Sequence, residues 1–191
     1  MNAIIYDIEI AKCIPAKGGL VEPGFDYCEG WTDYKGMGIA CIGVYDYVDE
    51  RYKVFLEDNL DVFAALVKTR EVIAGFNNLS FDDKLCHANG IDVRSNYDLL
   101  VEVRVASNQP AMFVKGLTRA GYNLDALAEA NLPIKKSGRG DLAPMMWQSG
   151  ERGAVIDYCL QDVAITKRLI ELGKLTDPTN GKSLLIRTLR A

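Results

Sequence analysis

Residues 3–10 read Ala-Ile-Ile-Tyr-Asp-Ile-Glu-Ile, a run in which only two side chains are charged. Its apolar, β-branched composition predicts a strand in the interior of a sheet. Asp7 and Glu9 lie two residues apart, so on a strand both side chains leave the same face and could share one cation. The alternative is a pair of solvated charges at a strand end. The run predicts a central strand and indicates the first part of an acidic site.

The rest of the chain alternates between β-rich and helical segments. Two β-rich runs at 38–47 and 51–56 flank the turn residues 48–50 and predict a hairpin. Asn123 can cap a short helix that begins at the next residue. Further strands are predicted at 71–76 and ending near 97, and further helices at about 59–69, at 81–88, from 98 and at 151–172. This order predicts an α/β domain with a mixed sheet covered by helices.

The length of 191 residues predicts one domain, 1–191. Within it, 12–36 is rich in glycine and aromatic residues and is predicted to be a long loop insertion. Residues 176–191 are predicted to form a C-terminal tail whose docking the sequence leaves open. No run is long enough for a membrane span and the start does not follow a signal-peptide pattern. The expectation is an intracellular protein, cytoplasmic or located with the nucleic acid of a virus or bacterium.

The five cysteines are scattered and form no Cys-x-x-Cys pair. This pattern argues against a disulfide framework or a thiolate zinc site. Cys86 lies beside His87, the only histidine, but two adjacent residues without further partners are more typical of ordinary helix packing. Any metal site in this chain is therefore expected to use oxygen ligands.

A second polar element follows a predicted strand, where residues 75–82 read Gly-Phe-Asn-Asn-Leu-Ser-Phe-Asp. Ligands gather at strand ends in α/β sheets. Asp82 could reach the first acidic pair, and Asn77 offers an amide to a sugar or phosphate. The alternative is that a polar side chain of this segment, Asn78, Ser80 or Asp82, caps the next helix.

A third element lies inside the long predicted helix. Tyr158 and Asp162 are four residues apart, so they share one helical face, a turn apart. Aspartate is a mediocre helix former, and its presence on a largely buried face needs a reason. One reading is that the phenol and the carboxylate belong to the acidic site. The other is a packed tyrosine whose hydroxyl bonds to a nearby acid.

Together the three elements resemble the motifs of the DEDD superfamily of 3′-to-5′ exonucleases, which have a ribonuclease H-like fold. Asp7-Ile8-Glu9 is similar to the first motif. Residues 77–82 are similar to the Asn-x-x-x-Phe-Asp motif of the proofreading domains of family B DNA polymerases, and 158–162 to the third motif. The resemblance covers most of the chain and implies an α/β, three-layer fold with a mixed five-stranded sheet flanked by helices.

The superfamily divides by the residue that its third motif supplies, either a tyrosine four residues before the aspartate or a histidine five before it. Position 157 is an aspartate and position 158 is a tyrosine. The resemblance therefore implies the tyrosine subclass. Among its members, the chain looks most like stand-alone exonucleases related to the polymerase B domain.

The resemblance implies hydrolysis of a phosphodiester bond with two Mg²⁺ or Mn²⁺ ions about 4 Å apart. Oxygen ligands suit these hard cations. The expected metal ligands are Asp7, Glu9, Asp82 and Asp162, with Asp7 bridging the two ions and Asp82 binding through water. Tyr158 is expected to orient the attacking water.

The expected partner is the 3′ end of single-stranded DNA or RNA, with DNA favoured, together with a polymerase or another replication protein and no membrane. Asn77 and Phe81 are candidate contacts to the terminal nucleotide. In the alternative reading, Phe81 only packs the helix. Candidate phosphate contacts are Lys115, Lys135, Lys136 and Arg139, against a solvated basic loop. An RNA exonuclease and a catalytically silent nucleic-acid-binding module remain alternatives. A net charge of −4 does not exclude these partners, since bound cations reverse the sign of an acidic site.

Overall fold

The computed structural model describes residues 1–133 and 140–189. Its main sheet has five strands in the order β3-β2-β1-β4-β5. β1 pairs antiparallel with β2 and parallel with β4, so it lies at the centre. The strands are β1 (Ala3–Ile10), β2 (Ile39–Asp46), β3 (Arg51–Phe55), β4 (Val72–Gly75) and β5 (Tyr97–Asp98). The predicted central strand and the hairpin of β2 and β3 are confirmed.

Helices cover both faces of the sheet. They are α1 (Tyr34–Met37), α2 (Leu60–Val67), α3 (Asp82–Ala88), α4 (Leu99–Ala106), α5 (Leu124–Asn131), α6 (Ala143–Gln148) and α7 (Arg152–Leu172). One core contains buried side chains of α1, α2 and α3, and a second contains those of α4, α5 and α7. The structure confirms the predicted ribonuclease H-like architecture of three layers with a mixed five-stranded sheet.

The side chains of β1 alternate between the two cores. Ile4, Tyr6 and Ile8 pack with α2 and α3, whereas Ile5 packs with α7. Successive strand residues point to opposite faces. Asp7 and Glu9 therefore share the face of Ile5, against which α7 packs.

The long loop 12–36 is fixed to α6. The Gln148 amide donates to the carbonyl oxygens of Ala11 at 3.0 Å and Asp26 at 3.1 Å, and it accepts from the Asp26 N–H at 2.7 Å. Cys13, near the start of the loop, forms an isolated bridge with Tyr27 farther along it. The loop is thus an ordered part of the domain, ending in the short helix α1 that its glycine-rich composition did not predict.

The C-terminal segment forms a small hairpin of β6 (Lys174–Thr176) and β7 (Ser183–Leu185). Leu184 and Ile186 are buried in the core with α4, α5 and α7, which answers where this segment docks. The hairpin follows α7 at Gly173, whose φ of 66° ends the helix in the left-handed region that glycine adopts readily. In the part of the chain that the structure describes, no helix combines the length and apolarity needed to cross a membrane.

Two local predictions differ from the structure. The helix predicted at about 59–69 spans only Leu60–Val67, and the Asn59 side chain accepts the N–H of Leu56 at 2.6 Å within a preceding 3₁₀ turn and makes no cap bond to α2. Helix α6 was not predicted, because six residues are too few for a helical period to stand out. Neither difference alters the layers of the fold.

Gly75→Ala is expected to lower the free energy of unfolding by roughly 1–3 kcal/mol, as overpacking of a core does. A Cβ at Gly75 would overlap the fully buried side chain of Asn78, whose amide donates to the Tyr6 carbonyl at 3.2 Å. Chemical denaturation followed by circular dichroism measures the change. Gly153→Ala is the matched control, since its Cβ would meet nothing within 4 Å in the first turn of α7. Equal stability of the two variants would contradict the packing role of Gly75.

Candidate active site

Asp7 and Glu9 form the first wall of the candidate site. Carboxylate oxygens of the two residues and the Cys159 sulfur lie within 4.8 Å of one another. Glu9 is only 8% exposed, so its charge has little contact with water. Two carboxylates this close, one buried and one half-buried, repel each other unless a proton or a cation neutralises them.

Helix α7 reaches these acids because a glycine lies beneath it. Gly43 on β2 is the register partner of Asp7, and a Cβ at this position would lie 2.9 Å from the Cys159 sulfur. The Cys159 thiol donates to the Asp7 carbonyl at 3.4 Å. The missing side chain at Gly43 therefore lets α7 lie directly on the central strands. Asp162 is on this helix and is 7% exposed.

The turn after β4 presents Asp82, which is the first residue of α3 and is 4% exposed. Asn77 adopts a φ of 66°, a region that asparagine tolerates better than most residues. The Asp98 carboxylate accepts the N–H groups of Asn77 at 2.9 Å and Leu79 at 3.2 Å. The cap position of α3 is held by Phe81 without a side-chain cap bond. The capping alternative for the polar residues of this turn is thus not observed.

The acids of the three elements act on one another electrostatically. Burial raises the pKa of Asp7 well above its ordinary value, and the charges that raise it further belong to Asp82, Asp162 and Glu9. Burial also raises the pKa of Asp82 to about 8, although N–H groups of its own backbone and of Ile8 counter the shift. The fold therefore brings together all four acids singled out in the sequence.

This donor set suits hard divalent cations. Carboxylate oxygens are the ligands that Mg²⁺ and Mn²⁺ prefer. The neighbouring Cys159 thiol is a poor ligand, because its hydrogen bond with Cys41 and its burial raise its pKa well above the ordinary value. Cations between the carboxylates would replace the protons that the raised pKa values otherwise favour. Asp7, Glu9, Asp82 and Asp162 could hold such ions.

Tyr158 packs against Gly140, which lines a cavity beside Glu9. A Cβ on Gly140 would lie 2.9 Å from the Tyr158 hydroxyl, so the phenol packs directly against this glycine. Gly140 also lines a cavity of about 300 Å³, together with Glu9, Phe81 and Trp31. A larger cavity of about 860 Å³ lies against the C-terminal hairpin and has no acidic residue in its lining. The chemistry of the acids therefore locates the site at the smaller one.

The other candidate residues lie in different places. Phe81 lines the cavity beside Glu9 and packs edge-on against Tyr34, so its two readings are compatible. Lys115 is exposed on a turn whose neighbours line a separate groove. The remaining candidate phosphate contacts, Lys135, Lys136 and Arg139, lie outside the described residues.

Sequence reasoning missed three contributors to the site. The sequence indicates Asp98 only as the start of a helix, and its carboxylate does accept the Leu100 N–H at 2.9 Å, but it also fixes the turn that carries Asp82. Gly43 gives no signal in the sequence, because it contributes by lacking a side chain where α7 packs. Trp31 was grouped with the loop aromatics, yet it is 70% exposed at the cavity.

No protein-family model and no curated protein matches this chain. Among solved structures, it is similar to the family B DNA polymerase from the hyperthermophilic archaeon Pyrobaculum calidifontis, with a TM-score of 0.58 and 21% identity. The match covers 89% of this chain and 24% of the polymerase chain, so this chain spans about a quarter of that protein's length. At this identity the likeness establishes the fold.

The Asp82 carboxyl is expected to make stability depend on pH in the presence of a chelator. Its pKa is about 8 in the folded protein and about 3.9 in an unfolded chain, so the folded state holds the proton more tightly. Its contribution is complete below about pH 4 and is lost as pH rises through about 8. Relative to Asp82→Asn, the free energy of unfolding of the wild type should fall across this window by up to about 1.4 kcal/mol per pH unit.

Urea denaturation in EDTA at several pH values measures this difference. The amide of Asp82→Asn does not titrate, so ionisable groups that do not interact with Asp82 cancel in the comparison, while Asp7, whose pKa the Asp82 charge raises, adds a change of the same sign. A difference that stays constant with pH would show that the Asp82 carboxyl is ionised in the folded protein across the whole window.

Proposed function

We propose that this protein is a metal-dependent 3′-to-5′ exonuclease that removes nucleotides from the end of single-stranded DNA. The supporting observation is the electrostatic contact of Asp7 with Glu9, Asp82 and Asp162, which come from three distant segments. Buried carboxylates that raise one another's pKa are typical of functional sites. The likeness to a family B DNA polymerase agrees with the resemblance of the motifs and favours DNA over RNA as the substrate.

The four carboxylates would hold two Mg²⁺ or Mn²⁺ ions. When bound, such ions activate a water molecule and neutralise the charge on the phosphate and on the leaving 3′-oxygen. Tyr158 hydrogen-bonds the attacking water and aligns it with the phosphorus atom. The bound cations would offset the negative charge of the carboxylates. They would therefore attract the phosphate despite the chain's net charge of −4.

The cavity of about 300 Å³ beside Glu9 receives the terminal nucleotide in this proposal. Apart from Glu9, its lining is mainly apolar and includes the aromatic side chains of Phe81 and Trp31. Aromatic side chains stack on any base, as an enzyme that removes successive nucleotides requires. The anchored loop 12–36 thus contributes a substrate contact as well as structure.

Asp7→Asn or Asp162→Asn is expected to abolish nearly all cleavage of a 5′-labelled single strand in Mn²⁺, because each change removes a metal ligand. Tyr158→Phe should leave a measurable residue of activity, since the ions remain bound. Gel analysis of the wild type should show a ladder of shortened products that EDTA suppresses. The matched control is Asp157→Asn, which makes the same chemical change at an exposed position of the same helix.

The outcomes separate the candidate functions. Near-normal cleavage by Asp7→Asn would remove the assignment of the metal ligands. A wild type that binds single strands without shortening them would indicate a silent module. Faster cleavage of RNA than of DNA with the same sequence would favour RNA turnover over proofreading beside a polymerase.

Trp31→Ala is expected to raise the KM for a single-stranded oligonucleotide by about 10-fold with a smaller effect on kcat, because stacking on a base contributes about 1–3 kcal/mol. Steady-state kinetics with Mn²⁺ measures both constants. Leu20→Ala is the control, since Leu20 is an exposed apolar residue of the same loop that lines a different pocket. If Trp31→Ala and Leu20→Ala had the same KM as the wild type, the cavity would not hold the base.

A further inference from the structure

A second groove begins at the turn that carries the candidate site. It has a volume of about 390 Å³ and includes Phe76 and Asn77 in its lining. These residues follow β4, whereas the cavity beside Glu9 lies at the end of β1. The two strands are parallel neighbours, so their carboxyl ends share one edge of the sheet. The groove and the cavity therefore lie along the same edge.

Two arginines give this groove a positive charge in an acidic protein. Arg104 donates to the Ala111 carbonyl at 3.3 Å, and Arg119 donates to the Ser107 carbonyl at 2.6 Å. Within residues 1–133 and 140–189, neither guanidinium forms an ion pair with a carboxylate. A guanidinium has five N–H donors, so each keeps donors for a ligand while the backbone holds its position. Such a fork matches the oxygens of a phosphate.

An exposed aromatic residue stands at the same groove. Phe113 is 68% exposed and lines the groove, although large apolar side chains are ordinarily buried. Its position is set by a tight turn, in which the Thr118 hydroxyl accepts the Val114 N–H at 2.8 Å and the Val114 carbonyl accepts the Thr118 N–H at 2.9 Å. Lys115 lies in this turn and is exposed. The turn thus holds an aromatic ring and an ammonium group out from the core.

We infer that this groove binds the single strand on the 5′ side of the cleaved nucleotide, with Arg104 and Arg119 on its phosphates and Phe113 stacked on a base. Cations combined with an exposed aromatic ring are the features that hold single strands without reading their sequence. An apolar protein partner would leave the two arginines without a complementary charge. The inference rests on the proposed exonuclease function, which it extends to the length of substrate that the protein engages.

Substrate length tests the groove separately from the chemistry. A dinucleotide has only the scissile phosphate, whereas a dT12 strand extends past it. Arg119→Gln and Phe113→Ala should each lower kcat/KM on dT12 by about 10-fold, the effect expected from losing one phosphate or stacking contact. The same variants should cleave the dinucleotide at the wild-type rate. Arg94→Gln and Leu185→Ala are the matched controls, because they make comparable changes at exposed positions away from the groove.

Binding of fluorescein-labelled dT12 in EDTA, followed by anisotropy, gives a readout that needs no catalysis. Arg119→Gln should weaken this binding and reduce the slope of log affinity against log salt by about 0.7, the value for one phosphate contact on a single strand. Unchanged affinity and salt slope in Arg119→Gln and Phe113→Ala would overturn the groove, even if Asp7→Asn abolished cleavage as proposed. A wild type that binds dT12 through these residues but cleaves nothing would instead contradict the proposed exonuclease function and leave the binding groove standing. Loss of self-association in Phe113→Ala with unchanged DNA affinity would assign the ring to a protein contact and also overturn the inference.

Discussion

The structure of the site depends on holding like charges close together, three of them on buried side chains and one, Asp7, on a half-buried side chain. Burial and then the charges of three other carboxylates raise the pKa of Asp7, so the ionised form of Asp7 is unfavourable in the folded chain. Repulsion of this kind is tolerated only if the surrounding fold fixes each side chain and if a cation can take the place of water. The layers of the fold provide the first condition, and the oxygen-rich donor set provides the second.

Three contacts hold the charged elements in place. The bare surface at Gly43 lets α7 rest on β2, where the Cys159 thiol donates to the Asp7 carbonyl. The Asn78 amide donates to the carbonyl of Tyr6, the residue before Asp7, and so ties the turn after β4 to the central strand. The Asp98 carboxylate gathers N–H groups from that turn and from α4. Each contact joins segments that are distant in sequence, so the site exists only once the sheet and both helical layers have assembled.

Loops at the edge of the sheet line the cavity and the groove that would hold a strand in the proposed function. On one side, the loop 12–36 is clamped to α6 by Gln148 and presents Trp31 beside Glu9. On the other, the segment after α4 closes on itself and presents Phe113 and Arg119 beside Arg104 of α4. In both places an aromatic ring is held outward by backbone hydrogen bonds. Rigid presentation of this kind lowers the entropy lost on binding, which would favour repeated binding of a strand by the proposed exonuclease.

The sequence by itself determined the central strand and α7, because the apolar run 3–10 and the helical period of 151–172 each report a local preference and a buried face. It also identified the acids, because a carboxylate within an apolar segment can be recognised before its tertiary neighbours are known. Tertiary structure alone decided the value of Gly43, the second role of Asp98 and the position of Trp31. Each of these features depends on which segments meet in the fold. Gly43 matters because α7 packs on it, Asp98 bonds to a residue 21 positions away, and the exposed Trp31 ring lies beside a glutamate distant in sequence. Local sequence does not record such contacts.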